Sequence, residues 1–150
     1  MDDYEYWMQY ALEQAQKALE KNEVPVGAVL VYDNEIIAMG HNQSISLHDP
    51  SAHAEIQCLR HAGAYFQNYR FPNTTLLVTH EPCCMCAGAL LHARINTVVF
   101  GSYDNKNGSV GSVVDLSSLS IANHRYTVIG GVRETECALL LKNFFKQKRL

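Results

Sequence analysis

Charge is scarce in this chain, and its apolar residues are dispersed. Only 18% of the 150 residues are Asp, Glu, Lys or Arg, whereas 47% are apolar. That balance excludes a broadly disordered polypeptide, which combines high charge with low hydrophobicity. No apolar run approaches the ~20 residues that span a bilayer. The start, Met1-Asp2-Asp3-Tyr4-Glu5, lacks the basic region and apolar stretch of a secretory leader, so a cytoplasmic location is expected. Repeats, low-complexity tracts and linkers are also missing, and the length suits one domain over residues 1–150.

Cysteine is limited to five residues, an odd number, and three of them crowd into positions 83, 84 and 86. A disulfide framework would spread them out. In a reducing compartment, such a cluster reads as metal-binding or catalytic. Net charge is −3, which by itself disfavours a polyanionic partner. The distribution is uneven, however: residues 1–23 carry −4 and the remainder +1. The last nine residues hold Lys142, Lys146, Lys148 and Arg149 and no acid. That run is either a solvated helix end, where cations suit the macrodipole, or a small basic patch for a polyanion.

Met8, Ala11, Leu12, Ala15 and Leu19 fall at helical spacing, which predicts an amphipathic helix over about 3–21. Residues 26–31 and 35–40 read as strands joined by an Asp33-Asn34 turn, followed by a polar loop over 41–48. Asp49-Pro50-Ser51 predicts a helix start, with the helix running through His53, Ile56 and Leu59 towards Gly63. Further strands are expected at 74–79, 97–100 and 126–129. Pro82 is expected to open a helix carrying Met85, Ala89, Leu90 and Ala93, residues 103–112 to form a loop, and residues 134–148 a final helix. Strands alternating with helices give an α/β fold, a three-layer α/β/α sandwich around a central mixed five-stranded sheet.

Cys83 and Cys86 have Cys-x-x-Cys spacing at a predicted helix N-terminus, which favours the metal-binding thiolate. Alone, the pair also fits a redox motif or half of a structural zinc knuckle. A structural site needs four protein ligands, and there is no second Cys-x-x-Cys. Cys58 and Cys137 sit on apolar helical faces and read as small core residues, and Cys84 reads as a packing residue. His53 differs from the other six histidines because Glu55 follows two residues on. One imidazole and two thiolates would leave a divalent ion formally neutral, with its water still acidic near neutral pH. Glu55 would then be free to accept and return that water's proton.

His53-Ala54-Glu55 with Pro82-Cys83-Cys84-Met85-Cys86 resembles the H-x-E…P-C-x-x-C signature of the cytidine/deoxycytidylate deaminase superfamily. Stretches around both motifs, including residues 24–28, Gly40-His41-Asn42, residues 48–55 and 82–94, and Phe100-Gly101 with Asp104, are similar to the bacterial tRNA-specific adenosine deaminases. That resemblance implies a cytidine deaminase-like fold, Zn2+ held by His53, Cys83 and Cys86, and Glu55 as proton shuttle. It implies attack of zinc-activated water on C6 of a flipped wobble adenosine, giving inosine. It also implies that Asn42 and Val26 lie near the nucleoside, that Asp104 and Lys106 lie on an RNA-contacting loop, and that Phe144 and Phe145 meet the anticodon loop. The implied partners are tRNA and a second copy of the chain. From the residues alone, Asn42 also fits a turn and either phenylalanine also fits the core. His80 stands where the pattern has a plain apolar residue, and Tyr103 where it has arginine.

Overall fold

The computed structural model describes residues 3–148; Met1, Asp2, Arg149 and Leu150 lie outside the described residues, so the basic run is seen only up to Lys148. In chain order the elements are α1 (Tyr4–Glu20), β1 (Gly27–Tyr32), β2 (Glu35–His41), α2 (Ala54–Phe66), β3 (Thr74–His80), α3 (Cys84–His92), β4 (Thr97–Ser102), a 3-10 turn (Leu116–Ser118), β5 (Thr127–Ile129) and α4 (Glu134–Lys148).

The five strands form one sheet in the order β2-β1-β3-β4-β5. β1 is antiparallel to β2 and β3, while β3–β4 and β4–β5 are parallel, so the expected mixed sheet is present. Asp33 and Asn34 have φ of 51° and 61°, the left-handed pair that a two-residue hairpin of the right twist requires.

Period-two alternation decides which helix each strand residue meets. Ala28, Leu30, Leu76, Val78, Val98 and Phe100 face α2 and α3, and are packed with Ala54, Cys58, Ala87 and Leu90. Val29, Val31, Leu77 and Val99 face the other way, against Met8 and Ala11 of α1 and Cys137 of α4. Cys58 and Cys137 are thus the small core residues their helical positions predict. Leu90 and Ile95 are fully buried, each contributing about 1.5–3 kcal/mol of apolar burial.

Two expected helix starts are corrected. Asp49-Pro50-Ser51 does not open α2: Asp49 Oδ1 accepts from Ser51 N at 2.9 Å and Ser51 Oγ at 2.7 Å, closing a local turn instead of capping a helix. The helix begins three residues later, at Ala54. Likewise Pro82 stands before the cap of α3, and Cys83 is the cap itself, with extended φ and ψ of −75° and 177°.

Candidate active site and metal centre

The strand directions bring one set of ends together. β2, β3 and β4 finish, and β1 begins, along the same edge of the sheet. Both α2 and α3 start at that edge. Their caps, His53 and Cys83, are therefore the residues that meet there, beneath the positive ends of two helix dipoles. A cavity of about 900 Å³ opens over them.

His53 Nδ1 lies 3.7 Å from Cys83 Sγ and 3.6 Å from Cys86 Sγ, and the three donor atoms all fall within 4.8 Å of one another. Zinc bonded tetrahedrally to sulfur at ~2.3 Å and nitrogen at ~2.0 Å separates those ligands by ~3.6 Å. The donor set and its spacing therefore fit zinc. Cys83 is pulled down to about 4 by hydrogen bonding with Cys86 and His53, against its partial burial. The Cys86 thiol donates to it, and that bond together with burial pushes Cys86 up. Cys84 is exposed and lines the cavity; it is neither a ligand nor the packing residue expected, because neighbouring helical residues point apart.

His53 and Glu55 converge because His53 is not helical. With φ of −75° and ψ of 158° it swings back towards α3, while Glu55, in the first turn of α2, enters the same cavity. Glu55 is 4% exposed. Burial lifts its carboxyl to about 7, and it also hydrogen bonds with the Cys86 thiol.

Asn42, just beyond β2, also lines the cavity, and its Oδ1 accepts from Ala54 N at 2.7 Å. Val26 supplies a buried apolar wall. Asp104, Lys106 and Phe145 stand around the mouth. Phe144 does not: it is 7% exposed and packed inward, with the Lys148 ammonium 5.5 Å from its ring centre. Of the two phenylalanines that the resemblance set at the anticodon loop, Phe144 takes the core position that the residues alone also allowed, since adjacent positions of a helix point in different directions and only Phe145 faces out. Phe145 shares its exposed face with Lys142, three positions earlier on the helix, and Lys146 is also exposed. Tyr103 is outside the cavity and packs edge-on against Phe100, 4.9 Å between centres.

Three residues that carry the architecture have no motif in the sequence. Glu81 is 2% exposed, and its carboxylate accepts from Asp104 N at 3.1 Å, Ser112 N at 3.0 Å and Ser112 Oγ. A Cβ on Gly108 would come within 2.5 Å of Glu81 Oε2, so glycine is what lets this loop close on the carboxylate. Glu23 does the same for the loop after Asn42, accepting from Ile45 N at 3.1 Å and Ser46 N at 2.7 Å. His80 bridges Ser102 Oγ and Asp104 Oδ2, at 2.7 and 3.0 Å. Glu81 beside Pro82 was the one available hint, because it adjoins the cysteine motif.

Known proteins agree with this geometry. The cytidine and deoxycytidylate deaminase zinc-binding region matches residues 1–102. A tRNA-specific adenosine deaminase of Haemophilus influenzae is 50% identical over 97% of this chain and 84% of its own length. One from Buchnera aphidicola is 45% identical over 96% of this chain and 95% of its own length. A solved structure described for A-to-I editing by tRNA:A34 deaminases at the wobble position superimposes with a TM-score of 0.89 at 42% identity, covering 91% of this chain and 99% of that one. A zinc-spaced His-Cys-Cys group with a buried glutamate beside it, matched over most of the chain to enzymes built the same way, places this chain in the cytidine and deoxycytidylate deaminase family, alongside its tRNA-specific adenosine deaminases.

Proposed function

We propose that this chain hydrolytically deaminates adenosine to inosine at the wobble position of tRNA. The observation that carries the chemistry is Glu55, a buried carboxylate that is not one of the three metal-spaced donors yet opens into the same cavity. The choice of substrate is supported by near-full-length identity to tRNA-specific adenosine deaminases.

His53, Cys83 and Cys86 would hold zinc, which when bound supplies the Lewis acidity that makes a water nucleophilic near neutral pH. Glu55 accepts a proton from the attacking water, delivers it to the purine ring nitrogen, and assists departure of ammonia from C6. Its burial suits this work, because a carboxyl near neutrality both takes and gives a proton. Asn42, with its oxygen held by Ala54, keeps its amide N–H groups for the nucleoside, and Val26 packs on the base. Phe145 offers a stacking face, and Lys106, Lys142 and Lys146 offer cations for phosphates, a combination suited to a splayed single strand. A homodimer in the cytoplasm belongs to the same proposal. It is supported by an apolar groove on the outer side of α2 and α3, lined by Ile56, Leu59, Ala89 and Ala93.

The test is incubation of the zinc-loaded protein with an anticodon stem-loop bearing a wobble adenosine. Inosine at that position is expected. Consumption of free guanine or cytosine with the RNA untouched would reject the proposal. Sedimentation at micromolar concentration reads the dimer.

A further inference from the structure

We infer that His80 is a positioning residue for the nucleic-acid substrate, acting through Asp104. His80 is the last residue of β3, and the sheet register sets it opposite Ser102 at the end of β4. Its ring spans from Ser102 Oγ, 2.7 Å away, to Asp104 Oδ2 at 3.0 Å. The other carboxylate oxygen of Asp104 accepts from the amides of Lys106 and Asn107 at 3.0 and 2.9 Å. Both oxygens are thus engaged within the protein, and the turn that carries Lys106 to the cavity mouth is tied to the ends of two sheet strands.

Two consequences follow from this arrangement. The first is orientation. The Asp104 carboxylate and its two amides form a closed local turn, and His80 fixes where that turn points. The second is charge. Asp104 is half-buried at the mouth of a cavity that would receive a polyanion, and an unengaged carboxylate there would repel phosphate. The His80 N–H held against Asp104 Oδ2 directs that negative charge inward. Burial would raise the Asp104 carboxyl, but the Asn107 and Lys106 amides and His80 hold it below its usual range, as expected for an oxygen pair facing donors. His80 lines the same cavity, but its ring hydrogen bonds with Ser102 and Asp104 and not with the metal-spaced donors or Glu55, so its effect falls on substrate capture.

This inference rests on the proposed tRNA reaction. The experiment compares wild type, His80→Leu, His80→Gln, Asp104→Ala and the His80→Leu/Asp104→Ala pair on the anticodon stem-loop, with zinc content and melting temperature recorded for each. His80→Leu is expected to raise KM about tenfold, the size of one charge-assisted hydrogen bond at a half-exposed site, with kcat within about twofold and one zinc per chain retained. His80→Gln, which keeps a donor for Asp104, should recover most of the loss. In the Asp104→Ala background, His80→Leu should add nothing. An unchanged KM in His80→Leu, a loss confined to kcat, or the same penalty with and without Asp104 would overturn the inference while leaving the proposed function intact. A wild-type protein that converts no RNA overturns both.

Discussion

Asn42 Oδ1 accepts a hydrogen bond from the backbone N–H of Ala54 at 2.7 Å, so the loop beyond β2 caps α2 between His53 and Glu55. One side chain thus satisfies an orphan amide of the helix and sets the spacing of a metal ligand and a proton carrier. Asn42→Ala is expected to lower stability by about 1 kcal/mol, or about 2–4 °C in melting temperature, and to reduce turnover far more than that loss of stability explains. Thermal melts together with steady-state kinetics check it; a variant with wild-type kcat/KM and a lowered melting temperature would leave Asn42 with the cap alone.

Glu55→Ala should abolish turnover, a loss of at least about 100-fold, while zinc stays at one per chain. Metal analysis by atomic emission and inosine formation are read on the same sample. Loss of both together would make Glu55 a ligand instead of a proton carrier.

The three donors should respond alike to metal removal. Cys83→Ser and Cys86→Ser are expected to lose zinc on dialysis, and a strong chelator should lower the melting temperature of wild type, because metal bound only by the folded chain stabilises it. Cys84→Ser should keep its zinc. The exposed Cys84 thiol should also label with maleimide faster than buried Cys58 or Cys137. Equal labelling rates would contradict the arrangement.

Glu23 gives a pH-dependent contribution to stability. Burial raises its carboxyl, but the Ser46 hydroxyl and amide, with the Ile45 amide, outweigh that and hold it below the ordinary 4.5. A carboxyl lowered on folding contributes stability that is complete above the unfolded value and disappears as pH falls through the folded one. Wild type should therefore melt above Glu23→Gln by a constant margin from pH 6 to 8, well above the titration of Glu23 itself and with Glu55 common to both proteins, and the margin should close below about pH 4.5. A margin that widens on acidification would refute this assignment.

Gly40 joins the fold to the site. A Cβ there would lie 2.6 Å from Ala54 O and 2.6 Å from Cys58 N, so β2 approaches α2 through a missing side chain. Gly40→Ala should cost about 1–3 kcal/mol by overpacking and, because α2 must shift, should also weaken zinc retention. Chemical denaturation and zinc titration report the two effects separately.

Much of this was legible in the sequence because it depends on spacing. Residues 26–31, 74–79 and 97–100 announce strands through β-branched and apolar residues, and the structure extends these last two strands to His80 and Ser102 because the sheet continues pairing there. His53, Glu55, Cys83 and Cys86 were recognisable as a set. What the sequence could not convey was why His53 and Glu55 meet, since two residues apart on a helix they diverge. The answer lies in the cap geometry of His53, which depends on Asp49 turning onto Ser51 instead of starting the helix. The partners of Glu23, His80 and Glu81 were hidden too, although His80 stood out as a departure and Glu81 by its place beside Pro82. Each acts by receiving or offering hydrogen bonds to residues more than twenty positions away, and no local pattern encodes such a partner.

The paired anchoring of the two loops by Glu23 and Glu81 determines where discrimination arises in the proposed reaction. Both loops beside the cavity are fastened to buried carboxylates of the framework, so the pocket is preformed and little protein rearrangement accompanies entry. The deformation must then come from the RNA. A nucleotide already loosely stacked in a tight hairpin enters at small energetic expense, while one locked in a duplex does not. Selectivity would then depend on how easily the RNA yields its base as well as on which base it is.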